Sequence, residues 1–201
     1  MKTIVDQVPS LQQLIFQLQK VPYLASKNVY RVAHYFLQLS SEQREQFCQT
    51  VVQASQQLVT CPTCCVWQEK GVPCFFCGNS MRDQKTICVV QIWYDILAIE
   101  KAETYKGVYH VLGGVLAPLE GVGVAQLAIE PLLKRALQCD EIIFAFSQTP
   151  EGETTAAYIA DKLKNLPVKI TCLAQGMPVG GSLEFMDRLT IYKALSQRRE
   201  F

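Results

Sequence analysis

Residues 61–90 read CPTCCVWQEKGVPCFFCGNSMRDQKTICVV, and this stretch sets the organisation of the chain on either side of it. Cys61-Pro-Thr-Cys64 and Cys74-Phe-Phe-Cys77 are two Cys-x-x-Cys pairs with nine residues between them. Each pair folds two thiolates toward one point, and two such knuckles complete the tetrahedron that Zn²⁺ takes from four sulfurs, with no position left for water. The link is shorter than in common two-knuckle ribbons, but it can turn back through Lys70-Gly71 and Val72-Pro73. The pattern predicts a closed, structural zinc site on Cys61, Cys64, Cys74 and Cys77; the alternative is a set of reduced core thiols or a redox pair. Cys65 adjoins Cys64 and could replace it as a ligand, although only Cys64 keeps the three-residue step from Cys61. The other four of the nine cysteines, Cys48, Cys88, Cys139 and Cys172, lie in apolar runs or at element ends and are expected as small core hydrophobes.

Beyond the cysteines, Ile87–Val90 opens an alternation of short apolar runs with helical patterns. The runs are 87–91, 108–112, 141–146 and 168–173, and the helices fall near 94–103, 124–138, 154–165 and 183–197. Nearly unbroken apolar runs suit strands buried on both faces, and their alternation with helices predicts an α/β unit with a largely parallel sheet.

Before the cysteines, residues 1–60 read as helical without a strand. Leu11, Leu14, Ile15 and Leu18 make one apolar stripe; Val29, Val32, Ala33, Phe36 and Leu37 make another after a break at Val21-Pro22. A third helix is expected from about Ser41, capped by Ser40-Ser41-Glu42 and continued by Phe47, Val51, Ala54 and Leu58. The predicted organisation is a helical module over 1–58, the cysteine unit over 59–80, an α/β domain over 81–175 and a C-terminal helical segment over 176–201.

Composition narrows the function. With 201 residues, 18 % charged and a net charge of +1, the chain is not disordered by composition and is not a basic protein that coats nucleic acid indiscriminately, so any DNA contact is local. Asp6 and Pro9 interrupt any signal-peptide core, and no apolar run approaches the roughly 20 residues of a membrane span, so a cytoplasmic protein is expected. Gly113-Gly114 and Gly121-Val-Gly123 lack the Gly-Lys-Ser/Thr ending of a phosphate loop. His34 and His110 have no nucleophile partner and read as structural. Trp67, Phe75 and Phe76 could stack on bases, but packing around a small metal unit is the expected use.

The order of these parts, together with CGNSMRDQKTICVV at 77–90, DILAIE at 95–100, GVYHVLGGVLAPLEGVG at 107–123, EGETTAAYIA at 151–160 and GMPVGGSLEFMDRLT at 176–190, resembles the RecR family of bacterial recombination mediators. The resemblance implies a helix-hairpin-helix module, a four-cysteine zinc finger, a Toprim α/β domain and a C-terminal segment. It also implies assembly as a homo-oligomeric ring or clamp on DNA, and work with RecO, and in many bacteria RecF, to load a recombinase onto gapped or single-stranded DNA.

Departures from the family pattern bear on mechanism. Where the family has Pro-Gly-x-Gly at the hairpin, this chain reads Pro22-Tyr23-Leu24-Ala25, and the two Cβ atoms oppose positive φ and close phosphate approach. The cations that match the pattern, Lys27 and Arg31, lie one helical turn apart and are the expected DNA contacts, with Lys20 as a third. Catalytic Toprim enzymes gather acidic oxygens around Mg²⁺ from a glutamate after the first strand and an Asp-x-Asp after a later one. Here those positions are Gln91 and Ser147-Gln148-Thr149, which supply no anionic charge, so a non-catalytic protein is expected. Glu151 and Glu153 remain, suited to the positive end of a helix and, by the resemblance, to contact with RecO. An arginine frequent in the family is replaced by Cys172. The alternatives are a Mg²⁺-dependent Toprim enzyme using Glu151 and Glu153, and a protein-interaction scaffold with weak DNA binding.

Overall fold

A computed structural model describes residues 4–198; residues 1–3 and 199–201, into which the first and last expected modules extend, lie outside the described residues. The chain divides into two compact units after Gln57.

The first unit is helical: α1 (Ile4–Gln7), α2 (Pro9–Gln19), α3 (Ser26–Gln38) and α4 (Ser41–Gln57). Pro9 opens α2, where its missing N–H costs nothing. Ile15, Val29 and Ala33 are buried, with Val5, Leu11, Leu14, Leu18 and Leu24 packed around them, so the two expected stripes face each other across the break. At the start of α4, Ser40 and Gln43 form a reciprocal cap: Gln43 N–H donates to Ser40 Oγ (3.2 Å), and Ser40 N–H to Gln43 Oε1 (3.0 Å). The expected apolar stripe of α4 is not used as a core: Phe47 and Val51 are about half exposed, and α4 has no buried residue. Leu58 does not continue the helix either. It starts β1 (Leu58–Thr60), a strand where the helical reading predicted none.

The second unit begins with that strand. β1 pairs antiparallel with β2 (Trp67–Glu69), Thr60 opposite Trp67, and the first cysteine knuckle is the connection between them, closed by Cys61 N–H to Val66 O at 2.8 Å. β1 thus owes its existence to a partner across a turn, and helical periodicity could not register it.

The main sheet has four parallel strands in the order β4-β3-β5-β6, with β3 (Asp83–Val90), β4 (Gly107–Val111), β5 (Glu141–Ala145) and β6 (Lys169–Cys172). Four helices accompany it: α5 (Asp95–Lys101), α6 (Ile129–Ala136), α7 (Pro150–Leu163) and α8 (Arg188–Ser196). The expected helix near 124–138 starts late because Pro131 is tolerated only in a first turn; Val124–Gln126 is a separate 3₁₀ turn. Leu183–Phe185 is another, and α8 starts only where Asp187 accepts from the N–H groups of Leu189 and Thr190.

Strand alternation divides the core between two faces. Ile87, Val89, Val108, Ile142 and Phe144 face one cluster with Leu132 of α6 and Ile159 and Leu163 of α7. Cys88, Val90, Tyr109 and Val111 face another, which contains Ile96 of α5 and the knuckle residues Cys61, Cys64, Val66 and Cys74. The cysteine unit therefore covers part of a sheet face. It also covers the edge strand β4, where Val111 N–H donates to Cys64 O (2.9 Å), while Arg135 of α6 donates to Tyr109 O on the same strand (2.7 Å). Among the remaining cysteines Cys88 and Cys139 are buried as expected, but Cys48 and Cys172 are exposed, one on α4 and the other at the end of edge strand β6.

His110 is fully buried in β4; Nε2 lies 2.7 Å from Ala128 O and Nδ1 3.3 Å from Arg135. Burial, aided by the Arg135 charge, pulls its pKa down to about 4 against weaker opposition from the Ala128 and Thr63 backbone. The folded chain keeps this imidazole neutral, whereas the unfolded chain protonates it below its ordinary pKa of about 6.5. Its contribution to stability is therefore complete above that pH and is lost as pH falls toward 4. The urea midpoint of the parent chain is expected to fall more steeply over this interval than that of His110→Gln; equal slopes would remove His110 as the cause.

Candidate metal centre and nucleic-acid interface

The hairpin β1–β2 and the edge strand β4 hold the four predicted ligands together. Cys61 Sγ lies 3.5 Å from Cys77 Sγ, Cys64 Sγ lies 3.4 Å from Cys74 Sγ, and all four sulfurs lie within 4.8 Å of one another. These separations are far beyond a disulfide, about 2.05 Å, and near the edges of about 3.8 Å that a tetrahedron with 2.3 Å Zn–S bonds would have. Cys61, Cys64 and Cys74 are buried and Cys77 is partly so. Burial, reinforced by the neighbouring thiols, drives these groups away from ionisation, pushing Cys77 up to about 12 and Cys64 higher still. At Cys61 the same burial is outweighed by hydrogen bonds from the Cys64 and Thr63 backbone and from neighbouring thiols, which bring it to about 7. A cation at the centre of the four would offset the desolvation of the thiolates, so the donor set fits a metal ion. Cys65 is not gathered with them; it turns aside with φ 60°, its N–H donating to Cys61 O at 2.9 Å.

A polar and aromatic layer ties the second knuckle to the sheet. Phe76 packs edge-on against Tyr109 with ring centroids 5.0 Å apart, and the Arg82 guanidinium lies 4.9 Å from the Phe76 ring. Arg82 pairs with Glu100, which accepts the Tyr109 hydroxyl at 2.6 Å. Burial opposes the Glu100 charge, but Arg82 and Tyr109 outweigh it and hold the carboxyl below its usual range.

At the C-terminal ends of the central strands, Val90 of β3 stands opposite Ala145 of β5, so the residues that follow them meet. Ser147 Oγ donates to Gln91 Oε1 at 2.9 Å, joining two of the positions where a catalytic Toprim site would have carboxylates. Thr149 caps α7, its Oγ1 accepting from Gly152 N–H at 3.2 Å. Glu151 is exposed on the first turn of α7. Glu153 is held by Lys193 of α8, whose ammonium also reaches Gln148 Oε1 at 3.4 Å. Sequence reading missed Lys193, since one lysine forty residues downstream carries no local signal.

In the helical unit Lys20, Lys27 and Arg31 are all exposed. Lys27 and Arg31 share a face of α3, and Lys20 Nζ sits 4.3 Å from the Phe16 ring centroid. No Asp or Glu occurs between Asp6 and Glu42, so these cations have no carboxylate near them in sequence. The hairpin departs from expectation in one respect: Tyr23 takes the left-handed backbone that its Cβ disfavours, with φ 64°, whereas Ala25 is extended. The left-handed turn survives the loss of glycine at a cost of about 1–2 kcal/mol for an L residue.

Comparison with known proteins accords with this arrangement. A Toprim domain model matches residues 85–174, and a model of the RecR C-terminal region matches residues 176–199. The chain is 41 % identical over 194 residues to recombination protein RecR of Rippkaea orientalis, covering 96 % of this chain and 98 % of the relative. It is 40 % identical over 190 residues to that of Desulfitobacterium hafniense (94 % and 95 % covered) and 39 % identical over 192 residues to that of Myxococcus xanthus (94 % and 97 %). No described helix is long and apolar enough to cross a membrane. With both domain models in order along the sheet and its C-terminal helix, and relatives matched over almost their whole length, the chain belongs to the RecR family of recombination proteins.

Proposed function

We propose that the chain is a non-catalytic, DNA-binding mediator of recombinational repair that acts with a RecO-type protein, and a RecF-type protein where present, to load a recombinase on gapped or single-stranded DNA as a homo-oligomeric ring or clamp. The observation that carries the non-catalytic part is the Gln91–Ser147 hydrogen bond. A neutral amide and hydroxyl satisfy each other where a hard, strongly hydrated Mg²⁺ would require anionic oxygens. The competing reading, a Mg²⁺-dependent Toprim enzyme, needs Glu151 and Glu153 as ligands, and one oxygen of the half-exposed Glu153 carboxylate is already paired with Lys193.

In this reading Zn²⁺ occupies Cys61, Cys64, Cys74 and Cys77 and acts structurally, holding the knuckles against β4. Lys27 and Arg31, with Lys20, contact DNA phosphates, and Glu151 and Glu153 form the acidic surface for the RecO-type partner. Near-neutral overall charge means that a single chain binds DNA weakly, and assembly multiplies the contacts.

The test is binding to gapped DNA across a salt series, with and without the partner. Charge reversal at Lys27 and Arg31 together is expected to weaken binding and to lower the log–log salt slope by about 2 per chain. Unchanged affinity would remove that surface, and Mg²⁺-dependent strand cleavage by the purified chain would overturn the non-catalytic reading.

A further inference from the structure

The turn between α2 and α3 combines a strained backbone with an unused aromatic ring. Tyr23 has φ 64° and is 100 % exposed, so its own side chain gains no packing among the described residues in return for the left-handed conformation. Its neighbour Leu24 is partly buried against Ile15, Val29 and Ala33, which anchors the turn and leaves Tyr23 projecting from it. A strained backbone persists where the surrounding packing holds it, as Leu24 does here, and such positions cluster at functional sites.

The charges that precede and follow the ring in the sequence are of one sign. Lys20 precedes Tyr23 by three residues, and Lys27 and Arg31 follow by four and eight. All three are exposed, and the segment from Gln7 to Ser41 contains no carboxylate. An accessible π-face flanked by cations, without acids, is the combination that binds single-stranded nucleic acid: cations follow the backbone and the ring takes the face of a base. Duplex DNA hides its base faces in the stack, so an unpaired base is the suitable occupant.

We propose that Tyr23 is a base-contacting residue whose ring stacks on an unpaired nucleobase of single-stranded DNA while Lys20, Lys27 and Arg31 hold the flanking phosphates. The proposal rests on the DNA-binding reading above and adds a contact to the base that phosphate recognition does not require.

The test uses the full chain and two fluorescent strands with the same number of phosphates, a thymidine 30-mer and a 30-mer of abasic residues, titrated by anisotropy. Tyr23→Ala is expected to weaken binding to the thymidine strand about tenfold, within the range for loss of one stacked base, and Tyr23→Phe to keep affinity within about twofold. On the abasic strand the parent and Tyr23→Ala are expected to bind equally. Tyr23→Gly relieves the backbone strain, so it is expected to raise the melting temperature yet lose affinity as Tyr23→Ala does. If Tyr23→Ala leaves thymidine binding unchanged while the Lys27/Arg31 reversal abolishes it, the base contact is wrong and the DNA-binding surface stands. An equal loss on both strands, or recovery of affinity in Tyr23→Gly, would assign the effect to the backbone and overturn the stacking role. A parent chain that binds neither strand removes both readings.

Discussion

Cys74→Ser is expected to leave the purified chain without zinc, where the parent carries one ion, and to lower the melting temperature of the second unit by about 8–16 °C. The reasoning begins with the ligand set. Cys74 Sγ lies 3.4 Å from Cys64 Sγ inside a closed group of four, and a hydroxyl is neither soft enough nor acidic enough to replace it. The consequence spreads because the knuckles are part of a core: Cys61, Cys64, Val66 and Cys74 pack with Cys88, Val90, Tyr109 and Val111 on one face of the sheet. Loss of a structural metal is among the few single changes that cost about 4 kcal/mol or more, and a chain of this size loses about 2–4 °C per kcal/mol. Elemental analysis and calorimetry read the two effects. Cys65→Ser serves as the control, since Cys65 turns away from the group and its replacement should retain the ion. Zinc retained in Cys74→Ser, or lost without a change in melting, would count against the arrangement.

How far the sequence reveals this fold depends on whether the decisive contact is local. The runs 87–91, 108–112, 141–146 and 168–173 all correspond to strands of the parallel sheet, because burial on two faces leaves an unbroken apolar signature. The start of β3 escapes that signature: Asp83–Lys85 are exposed, and they are strand residues through pairing with Gly107 and, from Thr86, Glu141. β1 escapes it for the same reason, since Leu58 prolongs the helical period of α4 and only the knuckle that returns the chain to Trp67 decides otherwise. The face of α4 shows the converse, with Phe47 and Val51 in a regular pattern yet about half exposed, Phe47 meeting only the Phe36 ring at a centroid distance of 4.9 Å among the described aromatic contacts.

The candidate sites divide along the same line. A Cys-x-x-Cys pair is local chemistry, so four ligands could be read from spacing, and the sulfurs converge. The meeting of Gln91 with Ser147 needs two strands to be neighbours, and only the family resemblance indicated it before the sheet order did. The Lys193–Glu153 pair has no sequence signature at all. At Tyr23 local reasoning gave the wrong sign: a Cβ disfavours positive φ, yet the packing of Leu24 into the helical core holds the turn there.

Gly152→Ala is expected to destabilise the chain by about 3 kcal/mol, the upper end for overpacking, which is about 6–12 °C in melting temperature. Helix propensity alone predicts the opposite, since alanine is favoured over glycine within a helix by about 1 kcal/mol. The sign is reversed by a backbone collision. A Cβ on Gly152 would stand 2.2 Å from Ser147 O and 3.3 Å from Gln91 Nε2, and a carbonyl at the end of β5 cannot rotate aside as a side chain can. The first turn of α7 would have to withdraw, breaking the Thr149 cap, drawing Glu153 away from Lys193 and displacing Glu151 with it. Ala157→Gly, on the exposed side of α7, measures propensity without the collision and should cost only about 1 kcal/mol. If Glu151 and Glu153 contact the RecO-type partner, Gly152→Ala should also weaken that complex under conditions where the chain stays folded, and Ala157→Gly should not. A Gly152→Ala chain that melts at or above the parent temperature would mean that α7 does not abut the Ser147 carbonyl, and with that contact would go the physical reason for glycine between the two glutamates.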